Sequence, residues 1–137
     1  MSNMHLPLSL ENEVPYYSTL LDIRKFLEQN IGVFPIHSCQ HSTRMLKQIL
    51  DLKQVAGYYL PLNKWHAWSY DLNLKLYIDL TMDQFSEEHD KIMILPKENL
   101  FLKSDLAATS NNLMTPENQF NPNINYLVKK FHKYSKY

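Results

Sequence analysis

A thiol, an imidazole and a carboxylate follow one another in this chain as Cys39, His66 and Asp79. Together these groups can attack an acyl carbon. The carboxylate accepts from one ring nitrogen, fixing the tautomer and stabilising the imidazolium once the other nitrogen has taken a proton. A thiol beside that imidazolium is held as thiolate, the nucleophilic form. Cys39 is the only cysteine, so no other residue competes for the thiol's part.

The strings WHAWSYD and LKLYIDLT, which carry His66 and Asp79, flank a short turn at Leu72–Asn73 and read as a β-hairpin. If Asp71 pairs with Leu74, then Tyr70 faces Lys75, Trp68 faces Tyr77 and His66 faces Asp79. Period-two alternation puts these pairs on one face of the sheet. Facing residues have Cβ atoms ~5 Å apart, within reach of a hydrogen bond. Leu72 is poorly suited to the positive φ of a two-residue turn, and a four-residue loop over Asp71–Leu74 keeps the same pairing.

Helices must bring the thiol to this hairpin. Tyr17, Leu20, Leu21, Phe26, Leu27 and Ile31 recur at helical spacing between Pro15 and Asn30, and Gly32 can end that helix. GVFPIHS follows as a loop. A second helix is expected from Cys39 to Leu52, with Met45, Leu46, Ile49 and Leu50 as its apolar stripe and Ser38 as its N-cap. Cys39 then lies in the first turn, where the helix dipole favours an anion. Strands are expected at Gln54–Leu60, Lys64–Tyr70, Lys75–Thr81 and Lys91–Leu95, which are rich in Tyr, Trp, Ile and Val. Residues 1–13 read as a loose leader, the Asn- and Pro-rich stretch 109–125 as a loop, and 124–137 as a C-terminal helix docked by Leu127, Val128 and Phe131. Helices followed by an antiparallel sheet make an α+β arrangement.

At 137 residues a single domain is expected, and 45% hydrophobic residues suffice for its core. Zero net charge argues against nucleic acid or an anionic membrane as the main partner. One cysteine allows no internal disulfide. No signal peptide or membrane-length apolar run is visible, so a cytoplasmic setting is the default. The two glycines make no phosphate-binding loop. No cofactor is implied.

A helix-starting cysteine, an HAW strand and an aspartate ending the next strand resemble the papain-like and transglutaminase-like thiol enzymes. The permuted, NlpC-type branch with the order Cys, His, Asp fits best. IDLTMDQF is also similar to the DLTxxQF signature of small YunG-type bacterial proteins placed near that fold. The resemblance spans about residues 36–96. It implies Cys39 as nucleophile, His66 as general base and acid, Asp79 as the residue orienting His66, and a peptide, protein side chain or small amide as substrate. The papain pattern has a glutamine a few residues before the cysteine as oxyanion donor. Here the nearest upstream is Gln29, beyond a proline. The Cys39 N–H is then one donor, with Gln40, Gln54 and Gln84 as candidates for the second. Trp65, Trp68 and Tyr58 are the candidate walls of the substrate pocket.

Two other readings of the same residues carry less weight. His37, Cys39, His41 and His66 have zinc-compatible donors, but a helix starting at Cys39 points the first three apart, and there is no second cysteine. A module that keeps the fold without turnover is the alternative to an enzyme. Asp83, Glu87, Glu88 and Asp90 read as a solvated acidic turn, and the lysines of LVKKFHKYSKY as a solvated helix face.

Overall fold

The computed structural model describes residues 10–104 and 123–135. They form three helices, α1 (Tyr17–Asn30), α2 (Cys39–Leu50) and α3 (Asn125–Ser135), with five strands, β1 (Lys53–Tyr59), β2 (Lys64–Asp71), β3 (Leu76–Asp79), β4 (Met93–Pro96) and β5 (Leu102–Ser104). The strands make one antiparallel sheet in the order β4-β3-β2-β1-β5. The architecture is α+β, as the element order implies. None of the described helices is long and apolar enough to cross a membrane.

Alternation along the strands sends side chains into two cores. On one side Leu76, Ile78 and Ile94 meet α1 through Leu20, Ile23, Phe26 and Leu27, α2 through Met45 and Leu46, and α3 through Leu127 and Phe131. On the other, Val55, Tyr59, Trp68, Tyr70, Tyr77, Met93 and Leu95 form an aromatic-rich cluster. His66 shares strand parity with Trp68 and Tyr70, and Asp79 with Tyr77, so both belong to the aromatic face.

Several boundaries differ from the sequence reading. The β2–β3 loop closes over residues 72–75, so Asp71 pairs with Leu76 and Tyr70 with Tyr77, where Lys75 was expected. The left-handed position falls on Lys75 (φ 59°), not Leu72, and the Asp71 carboxylate accepts the Leu74 N–H at 2.9 Å. An acidic residue that caps its own turn thus stays inside the strand instead of opening the loop. The slide is by an even number of residues, so every side chain keeps its face. His66 meets Asp79 diagonally instead of directly across. β5 went unread because it is only three residues long; it is held at the sheet edge by pairing with β1.

The leader is tied down where it is described. The Leu10 N–H donates to the Ile94 carbonyl at 2.8 Å, and Glu11–Glu13 make a 3-10 turn. Of the expected loop at 109–125, residues 109–122 lie outside the described residues.

Gly57 sits opposite His66 in the β1–β2 ladder. A Cβ there would strike the Lys103 carbonyl, and would lie 2.7 Å from the Ser104 Cα and 2.8 Å from the Trp68 ring. Two of those obstacles are backbone and cannot rotate away. Gly57→Ala is therefore expected to destabilise the protein by about 1–3 kcal/mol through overpacking. The urea midpoint measures this, and a variant as stable as the parent would contradict the packing described.

Candidate functional site

Cys39 opens α2, but Ser38 does not cap the helix as expected. Its hydroxyl turns back to donate to the Ile36 carbonyl at 3.1 Å, while its own carbonyl accepts from the Ser42 N–H. No described residue accepts from the N–H groups of Cys39 or Gln40, and the first turn carries no acidic residue. The positive end of the helix dipole is left facing the thiol. Just before it, His37 holds a left-handed backbone (φ 57°), a conformation that costs a non-glycine residue energy and persists only where neighbours fix it.

His66 is buried on β2. Its Nε2–H donates to Asp79 Oδ2 at 2.6 Å, with both side chains 2% exposed or less. The other carboxylate oxygen, Oδ1, accepts the Thr81 N–H at 2.8 Å and the Thr81 hydroxyl at 3.2 Å. With both oxygens engaged, the carboxylate cannot rotate away from the ring. The edge of Phe85 packs on His66 at 4.9 Å between centroids, and Trp68 lies at 5.9 Å. The far nitrogen, Nδ1, is buried without an aligned hydrogen bond. The Cys39 sulfur is nonetheless close enough to strengthen the ring's hold on a proton.

The chain from Asp79 to Phe85 works as a single brace. Gln84 donates from Nε2 to the Thr81 carbonyl at 3.0 Å and accepts the His37 N–H at Oε1, at 3.4 Å. The loop before Cys39 is thereby linked to the loop after Asp79. From α1, the buried Arg24 grips Asp83 with two parallel hydrogen bonds, at 2.8 and 2.9 Å, and donates to the carbonyls of Leu80 and Lys91. Asp83 is therefore not part of a solvated acidic turn: it is half of a largely buried ion pair. Arg24 was missed in the sequence, although it stands as a lone cation in the stripe Leu20, Ile23, Leu27. Thr81 and Phe85 were visible only as letters of IDLTMDQF.

A cavity of about 450 Å³ opens over the thiol, lined by Cys39, His66, Gln40, Gln84, His37 and Lys64 on its polar side. Ile36, Leu62, Trp65 and Phe85 line it with apolar surface. Of the expected pocket walls only Trp65 lines this cavity. Trp68 is enclosed in the aromatic core, its ring 5.3 Å from that of Tyr77. Tyr58 stands opposite Trp65 in the ladder but does not line the cavity. Of the three glutamines, Gln54 lies under α2, where Thr43 donates to its Oε1 at 3.3 Å. Gln84 is engaged at both ends of its amide. Gln40 lines the cavity next to Cys39. Among the described residues no three His, Cys, Asp or Glu side chains are grouped to hold a metal ion.

Burial alone would drive the His66 imidazolium to release its proton. The charge and hydrogen bond of Asp79, with the Cys39 sulfur, outweigh this and push its pKa up from 6.5 to about 10. The folded protein thus holds a proton that the unfolded chain loses. The resulting stabilisation is complete below pH 6.5 and is lost as pH rises toward about 10. Stability measured by urea unfolding is expected to decline over that window in the parent and to lose that decline in His66→Gln. Equal slopes in the two proteins would contradict a charged His66. Comparison with protein-family models, curated proteins and solved structures finds no match for this chain, so a functional reading rests on the geometry of this site.

Proposed function

We propose that this protein is a thiol hydrolase or acyltransferase of papain-like or transglutaminase-like type, acting on an amide or related acyl bond through Cys39. One observation carries the reading: a cysteine at an uncapped helix N-terminus and a carboxylate-anchored histidine meet on the wall of one cavity. His66 and Asp79 are nearly inaccessible to water, and the ring's second nitrogen has no oxygen or nitrogen partner.

In the proposed reaction the Cys39 thiolate attacks the carbonyl carbon and forms a C–S bond, and the carbonyl π electrons move to oxygen. The Cys39 backbone N–H at the start of α2 can donate to that oxygen. As the electrons return, the C–N bond breaks and His66 gives its proton to the leaving nitrogen. The departing amine leaves a thioester on Cys39. Water then adds, passing a proton to His66, and the C–S bond breaks to free the acid and restore the thiolate. An amine in place of water gives transfer. Asp79 moves no proton; it holds the ring and balances its charge.

A binding or inhibitory module without turnover is the second reading. It is favoured by the engagement of Gln84 at both ends of its amide, which removes one candidate oxyanion donor. Turnover of an activated ester separates the two. With p-nitrophenyl acetate, intact-mass spectrometry is expected to find one acetyl group on Cys39 together with a burst of p-nitrophenol. Cys39→Ala should abolish the adduct, and His66→Ala should slow its formation by roughly 10²–10⁴-fold. Acetylation at the rate of a free thiol, unchanged in His66→Ala, would favour the module.

A further inference from the structure

Among the described residues that line the cavity over the thiol, Lys64 alone carries a fixed charge. The chain as a whole is neutral, with 14 basic and 14 acidic residues, yet none of the ten described lining residues is Asp or Glu. Lys64 follows Asn63, whose left-handed backbone (φ 51°) ends the Leu60–Leu62 turn, and it opens β2 opposite Tyr59. It shares strand parity with His66, so both belong to one face of the sheet, about 7 Å apart along the strand, and both line the cavity. The Lys64 ammonium is exposed and pairs with no carboxylate among the described residues. The other cation on the cavity wall, His66, is already matched by Asp79 at 2.6 Å.

Resting on the thiol-enzyme reading above, we infer that Lys64 is a specificity residue: it pairs with a carboxylate on the substrate beside the scissile amide, so that acidic substrates are preferred. A cleft walled by one sign of charge concentrates the opposite sign, and no described carboxylate on this wall repels an anion. The start of α2 adds to the same field, because the N–H groups of Cys39 and Gln40 at its positive end have no acceptor among the described residues. Ile36, Leu62 and Trp65 offer apolar contact to the hydrocarbon part of the same molecule. Lysine suits this use. Its four-carbon stem lies along the wall while the ammonium follows the anion and stays in water. An acidic side chain and a chain terminus present the same carboxylate, and probes of each kind separate them.

The lone thiol allows a test with three alkylating probes. N-iodoacetyl glycine carries only a terminal carboxylate, N-iodoacetyl glutamate α-amide only a side-chain carboxylate, and N-iodoacetyl glutamine α-amide is neutral. In each, the Cys39 sulfur bonds to the same carbon as iodide leaves. Every rate constant is measured at pH 7 and low ionic strength and divided by that of 2-mercaptoethanol with the same probe. His66 attracts both anionic probes too, so the change on removing the Lys64 charge is the quantity that matters. The preference for a carboxylate probe over the neutral one is expected to fall roughly fivefold in Lys64→Met, the upper range for an exposed ion pair. The probe with the larger fall identifies the terminus or the side chain as the source. Lys64→Arg should keep most of the preference, and Lys47→Met, which removes the same charge at the far end of α2, should keep all of it. Equal preferences in the parent and Lys64→Met would overturn the inference. So would a Lys64→Met protein that slows with all three probes alike, which assigns the ammonium to the sulfur, or an equal fall in Lys47→Met, which assigns the effect to net charge. The two levels of the account fail separately. A Cys39 no faster than glutathione with the neutral probe and indifferent to His66→Ala would refute the activated nucleophile, while the probe ratios alone decide Lys64.

Discussion

The hydrogen bond between His66 and Asp79 is the interaction around which the rest of this molecule is arranged. Two ionisable side chains have been taken out of water, and burying a charge is unfavourable by several kcal/mol unless its partners are complete. Completion comes from the backbone and hydroxyl of Thr81, which occupy the carboxylate oxygen that His66 does not use. The aromatic face supplies the low-polarity surroundings. Phe85 and Trp68 pack on the ring, and Tyr59 stacks on Phe85 at 4.2 Å. Such surroundings strengthen the pair's mutual attraction and also hold the ring in one orientation.

A fixed ring is useful to a nucleophile only if the nucleophile is fixed relative to it. Here the two lie on different elements, Cys39 on α2 and His66 on β2. The segment 79–85 braces them: it ends in Gln84 and Phe85, one tied to the loop ahead of Cys39 and the other packed on His66. Arg24 in turn anchors that segment to α1, and the ring of Phe34 lies 4.9 Å beneath its guanidinium. A cation inside an apolar helix face is tolerated because five acceptors surround it: Glu28, both Asp83 oxygens and two carbonyls. The string IDLTMDQF therefore supplies the histidine's anchor, that anchor's own support, the counter-ion for Arg24, the brace and a packing face.

What could be read in the sequence follows the physics of each feature. Helix positions were legible from the apolar spacing around Leu20 and Leu46, and the strands from β-branched and aromatic runs. The His66–Asp79 pairing was recovered although the hairpin register was not, because face depends on parity alone and the slide was even. The register itself was set by Asp71 bonding to the Leu74 N–H, a local competition that alternation does not encode. Ser38 was read as a cap because serine often is one; its hydroxyl instead satisfies Ile36. Trp68 shares the His66 face and so reads as a pocket wall, whereas its burial in the aromatic core depends on contacts distant in sequence. Arg24 draws its meaning from partners that only the folded chain brings to it.

The account's central claim is that the His66–Asp79 pair activates the Cys39 thiol, and the rate of Cys39 alkylation by iodoacetamide at pH 7 tests it most directly. With a charged His66 beside the sulfur, the parent should react at pH 7 faster than glutathione does. His66→Ala should bring the rate down to that of glutathione, and Asp79→Asn should move it in the same direction. A parent that reacts no faster than glutathione, at a rate unchanged by His66→Ala, would contradict the account.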